Sequence, residues 1–164
     1  IDTAGCGFEE KKEGSSAYNP EEADLVFTHL SLYLTEIHNR YKGEDIPSAA
    51  LISPYRRQVE LLKEWLAEKK DDALFGRVSA NTIDSFQGQE RDIVYISLVR
   101  SNPGGEIGFL ADTRRMNVAM TRARQKLVVI GDSGTLSQWP FYQDFIHYAQ
   151  NTGGYESAWT FLYP

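Results

Sequence analysis

The sequence predicts an α/β fold in which a mainly parallel sheet carries helices on both faces. Short β-branched and aromatic runs alternate with longer segments in which apolar residues recur every three or four positions. The run 93–99 is apolar everywhere except at Ser97, which is typical of a strand covered on both faces. With 164 residues, of which 41% are hydrophobic, the chain has the size of one domain around one core.

The predicted elements follow one another along the chain. The first helix has the clearest start, because Asn19 can cap it, Pro20 suits its first turn, and Glu21 and Glu22 complement its positive end. The segments 8–18 and 102–108, rich in glycine and polar residues, predict exposed loops. We assign no role to a C-terminal extension, 136–164. Strands are expected near 1–3, 49–53, 77–83, 93–99 and 126–131, and helices near 20–41, 55–70, 112–123 and 136–150.

Charge is distributed unevenly. The net charge of −6 disfavours an independent nucleic-acid-binding protein, because lysine and arginine contacts to phosphate supply most of the non-specific affinity. Residues 91–126 are the exception, with seven lysines and arginines against three acids. The single Cys6 excludes an internal disulfide and a multi-cysteine zinc site, and no apolar run has the length of a membrane span. We therefore expect no metal site and no membrane partner, and a cytoplasmic protein, or a nuclear one in a eukaryote.

Three polar segments are candidates for function, and we expect all three at one edge of the sheet. Residues 53–58 follow a predicted strand, and residues 82–92 are centred on Gly88. In residues 114–124 an apolar stripe lies beside Arg115 and Arg122, two turns apart on one edge of the predicted helix. Each segment also has a purely structural explanation: a helix start, a tight turn and a solvated helix face. The absence of glutamate after Asp112 favours an external anion over a surface salt-bridge helix.

The sequence contains no complete active site. It has no Gly-x-x-x-x-Gly-Lys-Ser/Thr loop, which is the usual cradle for nucleotide phosphates. The three histidines are dispersed, and no nucleophile elbow supports an α/β hydrolase.

Taken in order, residues 53–62, 82–102 and 108–132 resemble motifs IV, V and VI of superfamily 1B helicases. The resemblance is strongest to the branch with the immunoglobulin-mu-binding-protein helicase and the nonsense-mediated-decay RNA helicase. Residues 1–5 resemble the first strand of the second RecA-like domain in that branch. The resemblance implies a RecA-like fold without a phosphate-binding loop, one domain over 1–164, and a fragment of a larger chain. ATP and Mg²⁺ would be held mainly by the first RecA-like domain.

The resemblance also implies a role for each matching position. Arg122 would be the arginine finger that reaches the γ-phosphate of ATP, with Gly88 and Glu90 lining the same cleft. Arg115 would hold the third segment against the second, and Gln87 would be a further supporting residue. The sugar-phosphate backbone of single-stranded DNA or RNA would be met by Ser53, Pro54, Tyr55, Thr82 and Ser85.

The implied partners are the first RecA-like domain of the same protein and a single strand, and we expect a monomer. A non-catalytic RecA-fold module that binds nucleic acid or serves as a scaffold is the alternative. The sequence leaves the choice between DNA and RNA open, because contacts to the nucleic-acid backbone carry little information on the sugar.

Overall fold

A computed structural model describes residues 1–41 and 46–162 of the chain. Its centre is a four-stranded sheet in the order β4-β3-β5-β6, in which every neighbouring pair is parallel. The fold class predicted from the sequence, α/β with a mainly parallel sheet, is confirmed. The strands are β1 (Lys11–Glu13), β2 (Ser16–Tyr18), β3 (Ala49–Ser53), β4 (Val78–Thr82), β5 (Arg91–Ser97) and β6 (Ala123–Ile130).

Helices pack on both faces of this sheet. Alternate residues of β3 point to opposite sides, so that Ala49 and Leu51 face one core and Ala50 and Ile52 face the other. The first core is closed by α1 and α2, and the second by the chain after β4, by α3 and by α5. The helices are α1 (Pro20–Arg40), α2 (Arg56–Glu68), α3 (Thr113–Met120), α4 (Ser133–Leu136), α5 (Pro140–Asn151) and α6 (Trp159–Leu162), with 3-10 turns at Ala73–Phe75 and Gly108–Ala111.

Helix α1 begins as its sequence predicts. The Asn19 side chain accepts a hydrogen bond from the Glu22 backbone N–H at 3.0 Å, and Pro20 occupies the first helical position. The apolar stripe of α1 then packs into the first core through Leu25, Val26, Phe27, Leu30 and Leu34. None of the helices in the described ranges is long and apolar enough to cross a membrane.

Two predictions near the N-terminus were wrong. Residues 8–18 are not a plain loop, because β1 and β2 pair there as an antiparallel hairpin in which Glu13 lies opposite Ser16. Gly14 has a φ of +59°, which allows the tight turn between them. Strands of three residues are too short to produce a readable alternation. The expected strand 1–3 is reduced to single-residue bridges from Asp2 to Gly131 and to Ser157.

The predicted helix 112–123 is too long. Helix α3 ends at Met120, and Ala123 already belongs to β6. The Thr121 hydroxyl donates to the Val118 carbonyl at 2.9 Å and closes the last turn. Arg122 therefore lies in the turn after the helix, and it is not on the helix as predicted. The expected helix 136–150 begins later, as α5 at Pro140, since proline fits the first turn of a helix, and the short α4 precedes it.

Candidate functional site

The sheet topology places the predicted site residues at two opposite edges. All strands of a parallel sheet begin at one edge and end at the other. Ser53 lies beside Thr82 where β3 and β4 end, whereas Arg91 lies beside Ala123 where β5 and β6 begin. The prediction of a single edge was wrong. Residues 53–55 and 82–85 lie at what we call the carboxyl edge, and Gly88, Glu90 and Arg122 lie at the amino edge.

Residues 83–90 cross one face of the sheet and join the two edges, and we call them the crossover loop. Ile83 and Phe86 are buried in the second core and fix the loop to the sheet. Ser85 lies between these two buried residues, Gln87 and Gly88 follow them, and all three are exposed. Apolar side chains thus hold the loop in place and leave its polar groups at the surface.

Thr82 and Ser85 form a compact hydroxyl pair at the carboxyl edge. The Thr82 hydroxyl donates to the Ser85 hydroxyl at 2.9 Å and accepts from the Ser85 backbone N–H at 3.1 Å. The Ser85 hydroxyl donates to the Thr82 carbonyl at 3.0 Å. Thr82 is half-buried and Ser85 is exposed, so both oxygens keep lone pairs near solvent, where a polar ligand can approach them.

Two residues expected to touch a nucleic-acid strand are inside the domain. Ser53 is fully buried, and its hydroxyl accepts a hydrogen bond from the Tyr55 backbone N–H at 3.3 Å. Tyr55 is 3% exposed, and its hydroxyl donates to the Ile107 carbonyl at 3.2 Å. Desolvation by burial is the main reason that the pKa of Tyr55 is raised. These side chains position the loops around them, and only Pro54 of this turn is partly exposed.

At the amino edge the crossover loop presents an open turn. Gly88 has a φ of +79°, and a side chain built there would meet no atom within 4 Å. Only the backbone conformation therefore requires glycine, and it leaves room for a ligand against the chain. The Glu90 carboxylate lies 3.2 Å from Arg124 Nε, and both side chains are more than half exposed.

Arg122 borders a cleft between the crossover loop and α3. Its backbone N–H donates to the Ala119 carbonyl at 3.2 Å, and its carbonyl accepts from the Arg91 backbone N–H at 3.2 Å. The side chain is half-buried, and no atom of the described residues accepts a hydrogen bond from its buried Nε. The cleft has a volume of about 340 Å³ and is lined by Ile52, Ile83, Asp84, Phe86, Gln87, Asp112, Arg114, Arg115, Val118, Ala119 and Arg122.

The cleft gathers three arginines and two aspartates. Arg115 Nε lies 3.2 Å from Asp84 Oδ1 and 3.8 Å from Asp112 Oδ2, so it spans from α3 to the crossover loop. Arg115 and Arg122 do not share a helix edge as predicted, because α3 ends at Met120, but both line this cleft. No group of three or more His, Cys, Asp or Glu residues within 1–41 and 46–162 is arranged to hold a metal ion.

Sequence reasoning missed a buried ion pair beside the carboxyl edge. Arg100 Nε lies 2.8 Å from Glu10 Oε2, and both side chains are at most 7% exposed. The same Glu10 oxygen accepts from the Ser101 backbone N–H at 2.9 Å and from Asn102 Nδ2 at 3.0 Å. Burial raises the pKa of Glu10, but the hydrogen bonds from Arg100, Asn102 and Ser101 outweigh burial, so the pKa is lowered overall. Ninety positions separate the partners, and no local pattern reveals the pair.

A second buried network surrounds Glu22. Its carboxylate accepts from the Ser97 hydroxyl and from the Val99 backbone N–H, the latter at 2.9 Å. Gln58 Nε2 donates to the Ser97 hydroxyl at 2.9 Å, which links α2 to the same group. Burial raises the pKa of Glu22 to about 7. Val99 has a φ of +72°, so this network holds a strained residue just past β5. The one sequence signal was Ser97 within an apolar strand.

The sequence matches a known protein family, described as an AAA domain, over residues 1–134. The match includes both edges of the sheet and the cleft. This chain belongs to that AAA domain family. Helix α5 lies beyond the match, yet Tyr142 of α5 is buried and its hydroxyl donates to the Leu110 carbonyl at 2.6 Å. The segment after residue 134 is therefore packed onto the AAA domain.

Relatives of this AAA domain place it in the superfamily 1 helicase branch, as the resemblance implied. DNA-binding protein SMUBP-2 of Mus musculus is 38% identical over 164 residues, which cover 99% of this chain and 15% of the relative. DNA polymerase alpha-associated DNA helicase A of Saccharomyces cerevisiae is 37% identical over 143 residues, covering 84% and 19%. Putative helicase MOV-10 of Gallus gallus is 34% identical over 164 residues, covering 92% and 17%. The chain thus spans less than a fifth of these proteins.

Proposed function

We propose that this AAA domain is the second RecA-like domain of an ATP-dependent superfamily 1 helicase. It would supply the arginine finger and part of the surface that binds a single strand of DNA or RNA. The observation that carries the proposal is Arg122. Buried donors in folded domains nearly always have a partner, whereas Arg122 Nε has none among the described residues. A guanidinium held in this way at a cleft suits an anionic ligand from outside the domain.

The amino edge offers what a bound nucleotide needs besides a cation. The open turn at Gly88 lets a phosphate or sugar approach the backbone closely. The Glu90 carboxylate can accept hydrogen bonds from sugar hydroxyls, and Arg124 Nε lies 3.2 Å from it. We assign the phosphate-binding loop and the ligands of Mg²⁺ to the first RecA-like domain of the same protein.

With ATP and Mg²⁺ between the two domains, the γ-phosphoryl group carries the charge that develops during hydrolysis. Arg122 would stabilise that charge by donating from its guanidinium to the γ-phosphoryl group across the boundary between the two domains. Arginine fingers contribute on the order of 10³ to 10⁵ in rate. Arg115 would keep the turn after α3 in place through its ion pair with Asp84.

The carboxyl edge is the proposed surface for the single strand. Thr82 and Ser85 present hydroxyl oxygens that can bond to phosphate or sugar groups without reading the base. Pro54 is the exposed part of the neighbouring turn, while Ser53 and Tyr55 shape it from within. Contacts of this kind suit a motor that moves along any sequence.

The experiment that tests the proposal replaces Arg122 in the complete protein. Arg122→Ala should lower strand-stimulated ATP hydrolysis by about 10³-fold or more, and Arg122→Lys should recover little, since lysine lacks the planar fork. Arg40→Ala, at an exposed arginine of α1 on the opposite face of the sheet, is the matched control and should keep wild-type turnover. Wild-type turnover in Arg122→Ala would reject the finger and favour the alternative, a non-catalytic nucleic-acid-binding or scaffold module.

A further inference from the structure

The chain before α3 exposes one large aromatic ring at the carboxyl edge. Phe109 lies in the 3-10 turn Gly108–Ala111 and is 54% exposed. Its neighbours Ile107 and Leu110 are 2% and 0% exposed, and both belong to the second core. Buried residues therefore hold this turn in place on both sides of Phe109, while more than half of the Phe109 side chain remains exposed.

The Phe109 ring packs against the buried ring of Tyr55. The Phe109 and Tyr55 ring centroids are 5.6 Å apart, with the planes tilted by 52°. Tyr55 is fixed in turn, because its hydroxyl donates to the Ile107 carbonyl and accepts from Arg100 Nη1 at 3.4 Å. Arg100 is tied to Glu10 by the buried ion pair. The ion pair and Tyr55 therefore support the Phe109 ring and restrict its motion.

Gly108 shows how closely this segment is packed. Its φ is +51°, and a Cβ added there would lie 2.3 Å from Arg100 Nη1 and 3.1 Å from the Tyr55 hydroxyl. Only glycine allows the chain to pass so close to the arginine. A rigid aromatic side chain on a rigid turn loses little conformational entropy when it binds a ligand.

Phe109 also lies on the proposed strand surface. Tyr55, which contacts it, directly follows the end of β3, and Thr82 ends the adjacent strand β4. On its other side, the Phe109 carbonyl accepts from the Asp112 backbone N–H at 3.3 Å. Arg115 connects Asp112 to Asp84, which lies between Thr82 and Ser85 in sequence. The ring and the hydroxyl pair therefore share one edge of the sheet.

We propose that Phe109 is a stacking platform for a nucleobase of the bound single strand. This inference rests on the proposed function and adds to it a contact to the base. Sequence-independent strand binding combines a groove that tracks the backbone with aromatic side chains on which bases stack, and hydroxyl groups are among the side chains that contact the sugar-phosphate backbone. Glu106 and Asp112, which flank Phe109 in sequence, are exposed, so polar side chains lie on either side of the ring along the chain. One ring in polar surroundings suits a flat base better than the apolar face of a protein.

The test compares two oligonucleotides that differ only in their bases. Binding of oligothymidylate and of an abasic strand of equal length is measured by fluorescence anisotropy at low salt, with the complete protein. The wild type should prefer the strand with bases, and Phe109→Ala should reduce that preference by about 5- to 150-fold. Its affinity for the abasic strand should be unchanged. Phe109→Trp should retain the preference.

The control variant is Tyr148→Ala, which removes a 66%-exposed aromatic ring from α5 and should behave as the wild type. If Phe109→Ala kept the wild-type preference for the strand with bases, the stacking role of Phe109 would be wrong, while the proposed strand surface would not be contradicted. If the complete wild-type protein bound neither oligonucleotide, the proposed strand surface would be wrong, and the stacking platform with it. Equal thermal unfolding of Phe109→Ala and the wild type would show that the domain remains folded.

Discussion

Arg115 of α3 and Asp84 of the crossover loop form an ion pair, with 3.2 Å between Nε and Oδ1. The pair joins the helix that leads to Arg122 to the loop that carries Ser85 and Gly88. Both partners are substantially exposed, at 40% and 69% of their side chains, so water and salt weaken their attraction. We therefore expect this ion pair to position α3 against the crossover loop and to contribute little to the stability of the domain.

Removing this ion pair should impair turnover more than folding. Arg115→Gln and Asp84→Asn should each lower the free energy of unfolding by no more than about 1 kcal/mol, as measured by urea titration of the chain. Each should reduce strand-stimulated ATP hydrolysis by the complete protein, because the turn bearing Arg122 loses a support. The double variant should be no slower than the slower single variant. If the fold-losses in ATP hydrolysis of the two single variants multiplied in the double variant, the two residues would act independently and the shared role would be contradicted.

A side chain at Gly88 should cost backbone strain without a steric clash. At a φ of +79°, Gly88→Ala should lower the free energy of unfolding by about 1–2 kcal/mol. Gly88→Asn should cost less, because asparagine adopts the left-handed region more easily. Gly104→Ala is the matched control, since its new Cβ would meet nothing closer than 3.6 Å and its φ is not positive. Equal losses at both glycines would argue against strain.

The buried Glu22 predicts a specific dependence of stability on pH. Burial raises its pKa to about 7 from an ordinary value near 4.5, so the folded state holds its proton where the unfolded state has lost it. This contribution is complete below pH 4.5 and is lost as the pH rises through 7, with a slope of at most about 1.4 kcal/mol per pH unit.

Glu22→Gln should remove that part of the pH dependence, because the amide oxygen can still accept from Ser97 and from the Val99 N–H but cannot ionise. The measurement is urea unfolding at several pH values between 4.5 and 7. Glu36→Gln, which removes an exposed carboxylate from the same helix, should keep the wild-type profile. Parallel profiles for Glu22→Gln and the wild type would rule out Glu22 as the titrating group.

Breaking the buried pair of Glu10 and Arg100 should be the most damaging of these changes. Arg100→Met leaves the Glu10 carboxylate buried without its cation, and we expect a loss of about 3–5 kcal/mol in the free energy of unfolding. Arg40→Ala, which breaks the exposed pair with Glu36, should cost only about 0–1 kcal/mol. Chemical denaturation of both variants makes the comparison. A loss from Arg100→Met as small as that from Arg40→Ala would mean that the pair contributes nothing.

Local signals predicted much of the fold. Asn19 and Pro20 marked the start of α1, and the apolar run around Ser97 marked the central strand. Capping and burial patterns depend on residues close in sequence, which explains this success. The end of α3 was misplaced because β6 pairs with β5 through Arg122 and so competes with the helix.

The site was harder to predict than the fold. Gln87, Arg115 and Arg122 of the cleft were among the predicted site residues. The division of the predicted residues between two edges depends on strand direction and order, which no single segment encodes. Tyr55 was expected to be a contact residue, yet long-range packing against Ile107 and Arg100 buries it. Phe109 was overlooked because an exposed ring and a core ring look the same in sequence.

The crossover loop has eight residues, 83–90, to pass from the end of β4 to the start of β5 on the far side of β3. A parallel connection usually takes a dozen or more residues and a full helix. This loop is therefore a short connection of nearly fixed length, because the buried side chains of Ile83 and Phe86 hold it against the sheet. We expect that inserting one residue into this loop would make it longer than the distance it spans. A displacement of the Thr82–Ser85 hydroxyl pair would then no longer displace Gly88.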